Sequence, residues 1–247
     1  MSDYPLISAV IPTRDRPDLL GRAVLSALNQ TYSHLEVIVV IDGEDPATRS
    51  YLSGVSDRRL HVVALPESVG GAEARNIGAR AARGQWIAFL DDDDEWLPTK
   101  LEKQLAAAEA IPGDYVFVAS RYIERSESGD RILPTRSLEY EGPFSDFLFC
   151  RDKIGAGTGY VQTSTWFVSK ALIEITPFTK GLKRNQDVDW MLHAMAVPAC
   201  RLMIVEEPLS IFHEDKRSGR VSKQPDWKFH YEWATRNRAF LSPKAFS

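Results

Sequence analysis

The sequence is poor in the features that mark specialised protein classes. It has only two cysteines in 247 residues, Cys150 and Cys200, far apart and without CxxC spacing. That excludes a disulfide framework and a zinc knuckle and fits two buried thiols in a reducing cytoplasm. Long apolar runs are missing too: stretches such as Val37 to Ile41 fall far short of the roughly 20 residues that span a bilayer. The N-terminus MSDYPLISAV has no basic leader followed by an apolar stretch, so the expectation is a cytoplasmic protein, soluble or peripheral at the inner face of a membrane. There is no excess of positive charge. The formal net charge is −4, which argues against a nucleic-acid partner, and the one local basic group is Lys216, Arg217, Arg220 and Lys223. Internal repeats, low-complexity tracts and linkers are also lacking, so one domain over residues 1–247 is expected.

What is present is an alternation of short β-branched runs with helical patterns, the signature of a mostly parallel sheet flanked by helices, and so an α/β fold. Leu6 to Ile11, Glu36 to Ile41, Leu60 to Leu65 and Trp86 to Leu90 read as four strands. Helices are expected after Pro17, from Pro46 to Ser53, from Gly70-Gly71 to a stop at Gly84, and from Pro98 to about Ala110. Tyr115 to Ser120 reads as a further central strand, with a hairpin around Ser128-Gly129-Asp130. A strand at Thr165 to Val168, a helix from Asp187 to Val197, two short strands and an aromatic-rich helix at Asp226 to Phe240 follow. The last of these is read as packing on the core or on a second copy in a homo-oligomer, or as peripheral membrane contact to a lipid-linked acceptor.

The strongest local chemistry is Asp91-Asp92-Asp93-Asp94-Glu95, directly after the wholly apolar strand Trp86 to Leu90. Carboxylates about 6 Å apart repel by roughly 2–3 kcal/mol at an effective dielectric near 20. Such a run is tolerable as a solvated turn capping the next helix, or useful if it captures Mg²⁺ or Mn²⁺, hard cations that share their coordination between carboxylates and a diphosphate. Its place at the carboxyl end of a parallel strand favours the second reading, because open α/β sheets bind ligands there. Asp42 follows strand two and Pro12-Thr13-Arg14 ends strand one, so three polar strand ends would share one crevice. Gly70-Gly71-Ala72-Glu73-Ala74-Arg75-Asn76 offers backbone N–H groups and a cation at a helix start, suited to phosphate, although it is neither a Walker A loop nor GxGxxG.

The succession SAVIPTRDRPDLLGRAVLSALNQTY, EVIVVIDG and GGAEARNIGARAARGQWIAFLDDDDEWLPTKLEKQ closely resembles the family 2 glycosyltransferases over about the first 110 residues, and NQDVDWMLHAM resembles that family's Glu-Asp pair with its following helix. The resemblance implies the GT-A fold, with a nucleotide-sugar half at residues 1–120 and a smaller acceptor half at 121–247. It implies an inverting transfer from a nucleotide diphosphate sugar, usually a UDP-sugar, to a hydroxyl of a saccharide or lipid-linked acceptor, with Mn²⁺ or Mg²⁺, in polysaccharide biosynthesis. By the same resemblance Pro12, Thr13, Arg14, Gly71 and Arg75 line the donor pocket, and Asp42 binds the base. Asp91 and Asp93 are the acids of a DxD motif, with Asp93 the metal ligand, and Asp92 faces the ribose or diphosphate. Asp187 is the general base, although Gln186 stands where the family's glutamate does, and a plain helix cap is the other reading of Asp187 and Asp189. His213 completes the metal site or touches the diphosphate, with a structural histidine as its ordinary alternative, and Arg217 and Arg220 neutralise phosphate. The acceptor is expected to be chosen by residues 121–165, with Gly155 to Gly159 and Thr163-Ser164 the places of interest. The rival functions are a sugar nucleotidyltransferase, which would release pyrophosphate, and a non-catalytic sugar-nucleotide-binding module.

Overall fold

Apolar runs of four to seven residues, β-branched in the first three strands, build the first part of the molecule. In the computed structural model, which describes residues 4–135, 142–150, 160–214 and 226–247, Ile7–Thr13 (β1), Leu35–Ile41 (β2), Leu60–Ala64 (β3) and Trp86–Phe89 (β4) lie parallel in the order β3-β2-β1-β4. Because β2 and β4 flank β1 on opposite sides, the strand order reverses there while the strands stay parallel, and the polar residues that follow these strands meet at one edge. Backbone pairing continues past the strand ends: the Asp42 N–H donates to the Thr13 carbonyl at 2.9 Å and the Leu90 N–H to the Val10 carbonyl at 3.1 Å.

The second part of the chain extends the same sheet in mixed sense. Phe167–Ser169 (β8) runs antiparallel to β4 and to Val116–Ser126 (β6), which pairs in a hairpin with Gly129–Leu133 (β7) and in parallel with Arg201–His213 (β9). Glu95–Trp96 (β5) closes the order against β9. The two short late strands expected from sequence are this single thirteen-residue strand. Glu206-Glu207-Pro208 reads as a break, but the register passes from Ser120↔Val205 to Arg121↔Pro208, so a bulge absorbs the two glutamates and pairing resumes.

Alternation along the strands covers both faces. Ile7, Ala9, Ile11, Val37 and Val39 pack with Leu20, Ala23 and Val24 of Pro17–Leu28 (α1), Leu52 of Pro46–Ser53 (α2), and Leu101 and Leu105 of Lys100–Glu109 (α4). Val10, Ile38, Val40, Ile87 and Phe89 pack with Ala74 and Ala79 of Gly71–Ala81 (α3), Leu172 of Lys170–Ile175 (α6), and Trp190 and Met191 of Gln186–Met195 (α7). Ile87, Ala88 and Phe89 are wholly buried, as a run without polar residues requires. Phe144–Phe149 (α5), Trp227–Arg236 (α8) and Pro243–Phe246 (α9) form a smaller cluster around Leu182, Leu192 and Trp233. In the aromatic-rich segment Trp233 is buried and Phe229 packs on that cluster, whereas Trp227 and Tyr231 face outward. No helix among the described residues is long and apolar enough to cross a membrane.

Helix α3 stops at Ala81, before Gly84; Ala82 leaves in extended conformation. Gly84 has a different purpose, because a Cβ there would lie 2.6 Å from the Leu6 carbonyl oxygen of the neighbouring chain. Gly78 in turn brings α3 down on the sheet, since its Cβ would lie 2.4 Å from Val10 Cγ1 and 3.1 Å from Val40 Cγ2. Alanine in a helix gains about 1 kcal/mol over glycine, but overpacking of this kind costs about 1–3 kcal/mol. Gly78→Ala is therefore expected to lower the urea-unfolding free energy by up to about 2 kcal/mol, and an increase would show that α3 is not so tightly seated.

Candidate active site

Five successive acids cannot leave a buried strand without counter-charge. Here cations and hydroxyls on β1, α1 and α3 meet them at a cleft of about 450 Å³ lined by Pro12, Thr13, Arg14, Arg16, Asp42, Gly70, Gly71, Arg75, Asp91, Asp92, Asp93 and Gln186. Every donor-pocket residue expected from sequence is in that lining, and so is Asp93. Asp91 pairs with the Arg75 guanidinium of α3. Asp92 accepts from Thr13 Oγ1 at 2.7 Å and from Arg16 at 3.2 Å, and Arg16 also reaches Asp93 at 3.4 Å. Arg22 donates to the Asp93 carbonyl. The side chains of Asp91 and Asp93 keep 26% and 20% exposure, enough to meet a ligand, while that of Asp92 keeps 8%.

Burial pushes the Asp92 carboxyl up to about 6, against the opposing pull of Arg16 and Thr13. Asp94 is wholly buried, and its carboxyl is pushed well above the ordinary range first by burial and then by Asp91 and Asp93. Its Oδ2 accepts from Ser164 Oγ at 2.6 Å and from Gln162, and its Oδ1 has no hydrogen-bond partner among the described residues. Ser164 Oγ also accepts the Asp91 N–H at 3.0 Å, so the 3₁₀ turn Thr163–Thr165 braces the acidic loop from behind. That turn is held in place by the buried Lys100 and Gln104: Lys100 Nζ donates to Gln104 Oε1 at 2.5 Å, and Gln104 Nε2 donates to the Thr165 carbonyl at 2.7 Å. Burial drives the Lys100 amine well below its usual value, and it sits 4.3 Å from the Trp96 ring centre.

Across the cleft, Asp42 organises the turn before α3. Its carboxylate accepts from Ser68 Oγ at 2.9 Å, Val69 N–H at 2.6 Å and Gly70 N–H at 3.0 Å, and Arg14 donates to the same Ser68 Oγ at 2.8 Å. Gly70, at φ 85°, lets the chain swing into the helix. Gly71 leaves room for two side chains, because a Cβ there would stand 3.3 Å from both Arg75 NH1 and Gln186 Oε1. Arg75 is the hinge of the site: it touches Asp91, donates to Gln186 Oε1 at 3.0 Å and lies 5.7 Å above the Phe178 ring. Burial alone would lower its pKa, but the charges of Asp91, Asp187 and Asp92 outweigh that and raise it.

Asp187 is the second residue of α7, beside Gln186 at the cleft wall. Asn185 takes the N-cap position, so neither Asp187 nor Asp189 is the cap. Asp187 Oδ1 accepts the Val188 N–H at 2.8 Å, and Oδ2 accepts the Tyr160 phenol. Asp189 is buried and clamps α7 to Thr179, Trp233 and Asn237. His213, at the end of β9, lies 3.3 Å from Glu95 Oε2 and outside the cleft lining; burial and Arg22 lower its pKa. Gly155 to Gly159, Lys216, Arg217, Arg220 and Lys223 lie outside the described residues. Sequence reasoning missed Arg16, Gln162, Tyr160 and the bracing role of Asp94. Arg16 had a signal, a second arginine in PTRDRPD, but Tyr160 and Gln162 act across the fold and leave no local pattern.

The lining carries four acids, Asp42, Asp91, Asp92 and Asp93, against three arginines, Arg14, Arg16 and Arg75. Among the described residues no three His, Cys, Asp or Glu side chains are arranged to hold a metal alone. What is there is a hard-oxygen donor set open on its ligand side, which fits a Mg²⁺- or Mn²⁺-type ion sharing its shell with a diphosphate and does not fit a closed protein cage.

A cleft where the strand order of an α/β sheet reverses, beside an acidic loop at a strand end, is the arrangement of a GT-A fold. The model of the glycosyl transferase family 2 matches residues 8–174, and the chain belongs to that family. WcaA of Escherichia coli K12, named as a colanic acid biosynthesis glycosyl transferase, is 31% identical over 229 residues, covering 91% of this chain and 78% of that protein. The Escherichia coli UDP-Glc:alpha-D-GlcNAc-diphosphoundecaprenol beta-1,3-glucosyltransferase WfgD is 36% identical over 106 residues, 43% of this chain and 42% of WfgD. The fold matches Staphylococcus aureus TarS 1–349, solved in complex with UDP-GlcNAc, with a TM-score of 0.71 at 16% identity over 93% of this chain and 66% of that one.

Ionisation of Asp92 is unfavourable in the folded state, so its folded pKa near 6 lies above the unfolded value near 3.8. The folded state then binds more protons between these values, and stability falls as pH rises from about 4 to 6. Asp92→Asn is expected to shrink the loss of unfolding free energy between pH 4 and pH 7 by about 2–3 kcal/mol, read from urea titrations. An unchanged pH slope would contradict the buried setting of this carboxyl.

Proposed function

We propose that the protein is an inverting glycosyltransferase that moves a sugar from a UDP-sugar to a hydroxyl of a saccharide or lipid-linked saccharide acceptor. The observation that carries this reading is the cleft itself: strand ends of β1 and β2, the acid loop after β4 and the N-terminus of α3 converge on one volume, with Asp187 beside its wall. UDP-GlcNAc in the TarS complex and the UDP-glucose and diphosphoundecaprenol-linked substrates in WfgD's name support the choice of donor and acceptor class.

Asp42 and the Pro12-Thr13-Arg14 turn would receive the base, and the α3 N-terminus with Arg75 the diphosphate. Asp93, in the loop that also carries Asp91, would hold a divalent ion; His213 would have to leave Glu95 to join it. When bound, Mn²⁺ or Mg²⁺ supplies the charge that lets a diphosphate approach these acids and that stabilises the departing nucleotide. The remaining work falls to this chain's own groups. Arg75, oriented by Asp91 and Gln186, would face the diphosphate. Asp187 takes the proton of the acceptor hydroxyl as that oxygen attacks from the opposite face of the sugar, giving inversion in one displacement. Gln186 keeps the Arg75 contact without adding charge beside the base.

Asp187→Asn preserves shape and removes basicity. It is expected to lower kcat for transfer by about 10²–10⁴ while UDP affinity in calorimetry stays within about twofold. Turnover at the wild-type rate would remove Asp187 from the mechanism, and release of pyrophosphate instead of UDP would replace the reading with nucleotidyl transfer.

A further inference from the structure

The base assigned above is not free in this structure. Asp187 Oδ1 is held by its own helix, through the Val188 N–H at 2.8 Å, which leaves Oδ2 as the oxygen able to accept a proton. That oxygen already receives a hydrogen bond from the Tyr160 hydroxyl, a donor of the same chemical type as the acceptor alcohol. Tyr160 stands just before the turn Thr163–Thr165 that braces the acidic loop, and its phenol reaches Asp187 of α7. Tyr122 of β6 lies nearby, since its charge state affects Tyr160 and Asp187 affects both phenols. Burial and then the Asp187 charge hold the Tyr160 phenol well above the ordinary tyrosine range, so it stays a donor at neutral pH.

We propose that Tyr160 caps the catalytic oxygen of Asp187 while the acceptor site is empty, and that the acceptor hydroxyl displaces it. This rests on the assignment of Asp187 as base. The consequence is protection of the donor. Water entering the site without acceptor finds Oδ2 engaged and cannot pass its proton there as its oxygen bonds to the anomeric carbon and the nucleotide leaves with the bonding pair. An acceptor saccharide, bound by many contacts, offsets the lost phenol bond; a water molecule makes too few contacts to do so. Tyr160 is thus a positioning residue that acts through Asp187 and favours transfer over hydrolysis.

The test uses the full chain with Mn²⁺ and a panel of UDP-glucose and UDP-N-acetylglucosamine, without acceptor, reading UDP release. Tyr160→Phe keeps the ring and removes the donor. It is expected to raise hydrolysis at least about tenfold, the equivalent of one hydrogen bond to a charged group, with UDP affinity unchanged. Tyr160→Leu should act in the same direction, and the double variant with Asp187→Asn should fall back to the rate of Asp187→Asn alone. Hydrolysis that is unchanged or slower in Tyr160→Phe with UDP affinity intact overturns the proposal and leaves the base assignment standing. Hydrolysis as fast in the double variant as in Tyr160→Phe alone overturns the base assignment and the cap together. A spectrophotometric tyrosine titration gives a readout independent of turnover: in Asp187→Asn one phenol should ionise at lower pH than in wild type, because the neighbouring negative charge is gone. Superimposable titrations would show that the phenol does not rest on Asp187.

Discussion

The structure depends on how a run of carboxylates is held at the tip of a strand that contributes nothing polar of its own. β4 is buried on both faces, so the whole cost of the charge falls on the residues around the loop. Arg75 meets Asp91, Arg16 and Thr13 meet Asp92, Arg22 takes the Asp93 carbonyl, and Ser164 with Gln162 receives Asp94. These partners come from β1, α1 and the residue before it, α3 and the segment before β8, which ties the loop to several of the elements around the cleft. The brace is uneven by design of the chemistry: Asp94 is sealed, Asp92 is nearly sealed, and Asp91 and Asp93 retain exposure on the ligand side.

The proposed cation follows from the charge of the cleft. With four acids and three arginines lining the cleft, a diphosphate would meet net negative charge, and repulsion between unit charges about 6 Å apart amounts to roughly 2–3 kcal/mol at an effective dielectric near 20. The arginines are also committed. Arg75 spans Asp91 and Gln186, and Arg14 is bonded to Ser68. Gln186 illustrates the economy of the arrangement: an amide accepts from the guanidinium as a carboxylate would, without adding one more negative charge to a site that has four.

Much of this was legible in the sequence because it is local. The four parallel strands come from unbroken apolar runs, and the shared edge follows from their order and from what ends β1, β2 and β4: Thr13, Asp42 and Asp91. Nine of the residues singled out there, Asp93 among them, line one cleft. The illegible parts depend on distant pairing. Pro208 looks like a strand end until a bulge opposite Arg121 absorbs two glutamates, and Gly84 looks like a helix stop until β1 is seen against it. Tyr160, Gln162 and Asp94 carry no motif of their own, because each is defined by a partner between 27 and 70 residues away. His213 was assigned by resemblance to the metal, and the fold pairs it with Glu95.

The central claim is that the acids at the end of β4 reach a nucleotide through a divalent ion. Calorimetry of UDP binding to the full chain, with Mn²⁺ and again with a chelator, tests it most directly. Relief of about 2–3 kcal/mol of repulsion predicts affinity about a hundredfold tighter with the ion, and loss of that difference in Asp93→Ala. Equal UDP affinity with and without the ion, or no UDP binding under either condition, would contradict the account.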